Sequence, residues 1–185
     1  MFGQAADGTG VIDRLTESPN NQFPSAVSPD GRRVVLTERS PKTGEDVKVL
    51  QLDGTNKVTP LVQTSFNERN GILSPDGRWL AYEADDSGSF EIYVRPFPDV
   101  NSGRLQVSTS GGTQPLSARN GRELFYVAPE GALMGVPVES GPAWGGGRAN
   151  EGRGTICGTA ERCLRPKLRH RRQRPAVLDD QGGWE

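Results

Sequence analysis

The chain has 185 residues, a net charge of −1 and only 33% hydrophobic residues, with 24 glycines and 14 prolines. This balance excludes binding to nucleic acid or to a membrane surface driven by bulk charge. No run of about eighteen apolar residues exists, so no segment of this chain reads as a membrane-spanning helix. The opening MFGQAADGTG lacks a basic region followed by an apolar core and does not read as a secretory signal.

In chain order, residues 1–18 read as two strands around an Asp-Gly turn. FPSAVS and RRVVLTE then flank Pro29-Asp30-Gly31, a β-hairpin signal. A third strand, DVKVLQLD, alternates Val47 and Val49 with Lys48 and goes on through Gln51, Leu52 and Asp53, and NKVTPLVQ supplies a fourth. The same order returns: RNGILS, the turn Pro75-Asp76-Gly77, RWLAYEA, FEIYVRPF and GRLQVST. It begins a third time with QPLSAR, the turn Asn120-Gly121, RELFYVA and ALMGVPV. Asp30 recurs as Asp76 after 46 residues, and Asn120 follows after 44 more.

Four short strands in each period of about 45 residues predict an all-β fold built of propeller blades. The expected division is a blade end at 1–18, blades at about 19–64 and 65–109, an incomplete blade at 110–140, and a Gly/Arg-rich tail at 141–185.

The repeated Asp-Gly has a chemical and an architectural reading. A calcium loop needs several closely spaced oxygen ligands, whereas each turn here offers one Asp. The turn reading assigns Pro29 and Pro75 to the first corner, Asp30 and Asp76 to local capping, and Gly31 and Gly77 to positive φ. Asn120 and Gly121 serve the third hairpin in the same way. EADDSGSFE (Glu83–Glu91) carries four acids and reads as a solvated loop between strands rather than a cation site.

There is no G-x-S-x-G nucleophile elbow and no phosphate-binding loop. The only histidine, His170, lies in the tail, so the rest of the chain lacks the base of a Ser-His-Asp triad. Cys157, Cys163 and His170 are too few and wrongly spaced for a zinc site. No catalytic residue, cofactor or metal is expected. Trp79, Tyr82, Phe90, Tyr93, Phe125 and Tyr126 read as packing residues, with Trp79 and Ala81 on one face of their strand and Leu80 and Tyr82 on the other. GPAWGGGR (Gly141–Arg148) reads as a loop. The candidate contact residues at the two ends of the central channel are Arg95, Asp99, Asn67, Glu68, Arg69, Asn70 and Arg119.

The repeat resembles the TolB-like or PD40 family, the WD40-like β-propellers of bacterial proteins. The resemblance rests on Ser74-Pro75-Asp76-Gly77-Arg78-Trp79-Leu80-Ala81-Tyr82 followed by Phe90-Glu91-Ile92-Tyr93-Val94, on Arg14–Val35, and on Ser110–Val138. It covers roughly residues 1–140. The third repeat departs from it with Arg119-Asn120-Gly121 in place of Pro-Asp-Gly, and the first has Val49-Leu50 where an aromatic is usual. The resemblance implies a partial six-bladed propeller of about three blades. YVRPFPD (Tyr93–Asp99) further resembles propellers at the C-terminal end of bacterial transmembrane serine/threonine kinases. That implies an extracytoplasmic or periplasmic sensory module binding a protein or small ligand at its loop face.

From about Arg148 the chain turns Arg-rich and the blade pattern stops. One reading is a basic irregular tail. Another is a shifted reading frame: with permitted codons, Leu168–Gly183 read one base later gives YDIAGSGRRFLMIKEA, a blade-like hairpin. Uncovered blade faces are expected at both ends of the chain, to be completed by a partner chain or else prone to aggregation. The leading functional expectation is a non-catalytic binding module. The alternatives are the gating propeller of a prolyl-oligopeptidase-type hydrolase and a non-functional gene fragment.

Overall fold

The computed structural model describes residues 1–138, Trp144 and the backbone of 155–157. All regular structure among the described residues is β. A two-stranded sheet of β1 (Phe2–Gly3) and β2 (Asp13–Arg14) comes first. The first four-stranded sheet runs β3 (Asn21–Val27), β4 (Arg33–Ser40), β5 (Gly44–Gln51), β6 (Val58–Val62). The second runs β7 (Glu68–Leu73), β8 (Trp79–Ala84), β9 (Glu91–Pro96), β10 (Leu105–Gln106). The third runs β11 (Thr113–Ser117), β12 (Glu123–Val127), β13 (Leu133–Pro137), β14 (Thr155–Cys157). Each sheet is an antiparallel meander in which neighbours in sequence are neighbours in space.

The third sheet departs from the sequence reading, which leaves this blade incomplete at about residue 140. Its fourth strand comes from within the Arg-rich stretch, pairing Leu133 with Cys157 and Gly135 with Thr155. A three-residue strand supported by pairing alone carries no alternation to announce it. Leu168–Gly183, Cys163 and His170 lie outside the described residues.

Period-2 alternation sorts the central strands into the gaps between sheets. On β4, Val34 and Leu36 face one way and meet Leu50, Met1 and Leu15 under the N-terminal pair of strands. Val35 faces the other way and joins Val47, Leu80, Tyr82 and Tyr93 between the first and second sheets. On β8, Ala81 turns to the third sheet and packs with Ile92, Val94, Leu124 and Tyr126. Leu36, Leu80, Tyr82 and Ile92 are fully buried. Both faces of the central sheet are therefore apolar, and face-to-face stacking of the sheets is what removes them from water.

The first strand of each four-stranded sheet carries a β-bulge at the same place: between Pro24 and Ala26, between Arg69 and Ile72, and between Thr113 and Leu116. In the second and third sheets the bulge holds a non-glycine residue at positive φ, Asn70 at 53° and Gln114 at 54°. Such conformations persist only where the surroundings hold them. Gly71, next in the bulge, sits against the first sheet so closely that a Cβ would lie 2.9 Å from Val47 Cγ1 and 3.0 Å from Val35 Cγ1. Its backbone is not in the left-handed region, so a side chain there tests packing alone. Gly71→Val is expected to destabilise the chain by roughly 1–3 kcal/mol through overpacking. A drop in the urea midpoint checks this, and an unchanged midpoint would show that the first two sheets are not in contact at Gly71.

Candidate functional site

The three hairpin turns gather at one end of the stacked sheets. In the first, Gly31 N–H donates to Ser28 O at 2.8 Å and Gly31 has φ 70°. Asp30 Oδ1 accepts from Ser28 Oγ at 2.5 Å and from Arg32 N–H at 3.1 Å. The second repeats this with Gly77, Ser74, Asp76 and Arg78. In the third, Asn120 Oδ1 accepts from Arg122 N–H at 3.0 Å, and Ala118 stands where the other turns have a serine. The Ser28 hydroxyl beside Asp30 holds that carboxyl below its ordinary value. At Asp76 partial burial works the other way, and is outweighed by the Ser74 hydroxyl and Arg78. The turns also touch one another. A Cβ on Gly77 would lie 3.3 Å from Pro29 Cδ, and one on Gly121 would lie 3.9 Å from Pro75 Cδ.

Two clefts lie between successive turns. The smaller, about 170 Å³, is lined by Pro29, Asp30, Arg33, Asp76 and Phe97 among others. The larger, about 300 Å³, lies between the second and third turns. Trp79 and Trp144 form part of its wall, edge to face with centroids 5.6 Å apart. Asp76, Arg78, Arg119 and Glu123 bring charge to it.

At the opposite end the acids are buried or half-buried and hold neighbouring segments. Glu83, fully buried, accepts from Arg69 Nε at 2.8 Å and Asn70 Nδ2 at 2.6 Å within its own sheet. It also accepts the backbone N–H of Gln114 in the third sheet at 2.6 Å. At the equivalent place one sheet earlier, Thr37 Oγ1 accepts the N–H of Asn70 at 3.1 Å. Arg69 also bonds Glu45 of the first sheet at 3.3 Å, and Arg39 bonds Glu45 at 2.6 Å. Asp46 and Glu91, each near the start of its sheet's third strand, tie that strand to neighbouring segments. Asp46 accepts from Thr43 Oγ1 and Gln63 Nε2, and Glu91 from Ser108 Oγ and Gly111 N–H. Among the described residues no three His, Cys, Asp or Glu side chains come together to hold a metal ion.

No protein-family model matches the chain, and no curated protein does. Solved structures do. TolB from Acinetobacter baumannii superposes with a TM-score of 0.60 at 18% identity, covering 83% of this chain and 36% of that one. A TolB protein from Agrobacterium tumefaciens gives 0.58 at 18% identity, covering 70% of this chain and 49% of that one. The fold is a partial TolB-like β-propeller. The four-stranded sheets are its blades, the bulged strands its innermost strands, and β1–β2 a partial blade. Oligogalacturonate lyase from Vibrio parahaemolyticus shares the architecture at TM-score 0.55 and 12% identity, over 85% of this chain and 46% of that one. The chain spans between about a third and a half of the length of these propellers.

Placed on the propeller, the candidate contact residues do not form one site. Arg95, Asp99 and Arg119 lie toward the turn end, and Asn67, Glu68, Arg69 and Asn70 at the other. Arg95 is engaged inside its blade, donating to Tyr82 Oη and Val100 O at 2.8 Å each. Asn67 is held by Asp85 and bonds Glu45 N–H of the preceding blade. Glu68 is buried at 2% exposure and accepts from Thr64. Asp99 is exposed. Of these, Arg119 lines the cleft between the second and third turns.

The stretch Glu83–Glu91 is the solvated loop of the sequence reading only in its middle, where Ser87–Ser89 are exposed between β8 and β9. Glu83 and Glu91 are buried strand residues, Asp85 caps Asn67, and Asp86 pairs with Arg104 at 2.7 Å. Trp79 and Trp144 went unread as cleft walls, since aromatic residues in a strand and in a Gly-rich loop carry no such signal by themselves.

Two buried glutamates give opposite pH signatures. At Glu38, burial pushes the carboxyl up, but Lys48, Gln22 and Asn20 outweigh it and hold it at about 2. Its stabilisation is full above the unfolded value of 4.5 and is lost as pH falls toward 2. At Glu68, burial pushes the carboxyl above 4.5 against the Thr64 hydrogen bonds, with Asp46 and Asp86 adding to the rise. Its contribution is full below 4.5 and lost as pH rises through the raised value. Urea titrations between pH 2.5 and 7 should therefore show Glu38→Gln losing most stability at pH 7 and little at pH 2.5. Glu68→Gln should become more favourable as pH rises. Profiles parallel to the parent's in both variants would contradict these assignments.

Proposed function

We propose that the chain is a non-catalytic propeller module that binds a protein or small ligand on its turn face, as the sensory or scaffold part of a larger bacterial protein. The supporting observation is the contrast between the two ends. Deep in the blades and at the far end, the carboxylates of Glu38, Glu45, Glu83 and Glu91 are engaged in holding strands and blades together. At the turn end the cleft of about 300 Å³ offers an aromatic wall and an exposed Arg119 with no partner among the described residues. A concave site with apolar walls and a few convergent polar groups is the general form of a ligand pocket.

The parent protein is proposed as a transmembrane serine/threonine kinase. This rests on the resemblance of Tyr93–Asp99 alone. A kinase sequence and membrane helix ahead of this segment in its gene supports it, whereas a G-x-S-x-G domain after it would replace it with the hydrolase reading.

Binding is tested by a fragment screen on the isotope-labelled chain, read out by amide chemical shifts. Hits should move Ser74–Trp79 and Ser117–Glu123 saturably. Hits confined to the opposite end, around Asn67–Asn70, or no hits at all, would overturn the turn-face reading.

A further inference from the structure

We infer that the cleft between the second and third blades takes a carboxylate carried on a flat apolar group. The inference rests on the turn-face reading above and names the ligand class of that same face.

The hydrogen-bonding inventory of the lining decides the sign of the ligand. Asp76 is already engaged: Oδ1 accepts from Ser74 Oγ at 2.5 Å and Arg78 N–H at 3.2 Å, and Oδ2 accepts from Arg78 Nε at 2.7 Å. It has little left to draw in a cation. Arg119 has no acceptor among the described residues, and its planar guanidinium matches a carboxylate with two parallel hydrogen bonds. Trp144 Nε1 is buried below the reach of a molecule in the cleft, so the indole offers a ligand its ring rather than its N–H. The cleft therefore has one cation, Arg119, without an acceptor among the described residues.

The remaining lining sets the rest of the molecule. Trp79, Trp144 and Val138 belong to one apolar cluster that borders the cleft, and a flat ring can lie against them. Glu123, exposed on the lining strand β12, is the one carboxylate of the lining without a partner among the described residues. It opposes a second negative charge, so a monoanion fits better than a phosphate dianion. A volume of about 300 Å³ lies at the lower end of ligand pockets and suits a single ring with its carboxylate. Such a group has two sources: a free aromatic acid, or the C-terminus of a polypeptide ending in an aromatic residue.

The test is a titration of the full chain, labelled with nitrogen-15, tracking the indole N–H signal of Trp144 assigned with Trp144→Phe. The probes are N-acetylphenylalanine, its amide, and a tetrapeptide ending in phenylalanine with a free C-terminus. The acid is expected to shift the Trp144 signal saturably and the amide to bind at least about tenfold more weakly. Arg119 is exposed, so Arg119→Gln should fold as the parent does, weaken the acid by about tenfold or more, and leave the amide unchanged. Tighter binding of the peptide than of the free acid supports the site with a polypeptide terminus as its ligand, and equal binding supports it with a small acid. No saturable shift with either acid, equal affinity for acid and amide, or full affinity in Arg119→Gln would overturn the carboxylate assignment. If neutral fragments still bind the turn end in that event, the turn-face reading survives. If nothing binds there, both fall.

Discussion

Each blade hands the next one a hydrogen-bond acceptor at a single register position, and the stacking of the molecule depends on it. Thr37 serves Asn70, and Glu83 serves Gln114. Both receiving residues hold positive φ within a bulge, which turns their N–H out of their own ladder and toward the preceding blade. The left-handed conformation costs of order 1 kcal/mol or more for a non-glycine residue. The hydrogen bond across the junction and the apolar burial around it offset that cost. Gly71 obeys the same constraint. With Asn70 drawn against Thr37, the next Cα comes too near Val47 and Val35 for any side chain. The residues also mark where the series stops. Pro24 stands at the position of Asn70 and Gln114 and has no N–H to give, while Val127 stands at the position of Thr37 and Glu83 and has no side-chain acceptor.

This constraint divides the polar residues into two populations. Those at the ends of the second strands and the starts of the third are mostly buried and engaged, with Glu83 alone holding Arg69, Asn70 and Gln114, and with Asp46 Oδ1 the one buried carboxylate oxygen left without a partner among the described residues. Removing such a carboxylate leaves several donors unpaired in a low-dielectric interior. They are poor candidates for recognition because they are already in use. The turn end is different. Its aspartates hold their own turns, the prolines and glycines of successive turns meet, and the space left between them is open to solvent. Arg119, the third repeat's departure from Pro-Asp-Gly, faces that space. A change that leaves the hairpin intact but replaces a proline with a guanidinium alters what the cleft can bind.

Much of the fold was legible in the sequence because its two signals are local. Alternation over Val34–Thr37 or Trp79–Tyr82 depends only on which face each residue occupies, and Asp-Gly at a turn depends on positive φ at Gly31, Gly77 and Gly121. The features that stayed hidden depend on neighbours distant in sequence. Glu83 looks like the start of a polar loop until Gln114, 31 residues on, is seen to need it. Asn70 and Gln114 look like ordinary strand residues, although their shared offset from the turns was a readable hint of a common role. β14 has no alternation to read, and Trp144 sits in a Gly-rich run whose composition says only loop.

The most direct measurement of the blade-to-blade interlock is native-state hydrogen exchange at the Asn70 and Gln114 amides. Neither belongs to its own sheet's ladder, yet both should exchange as slowly as the core amides of β8. In Glu83→Ala, Gln114 should exchange quickly while Asn70, still held by Thr37, stays slow. Exchange of both amides in the unsubstituted chain at the rate of the exposed loop residues Ser87 and Gly88 would contradict the interlock.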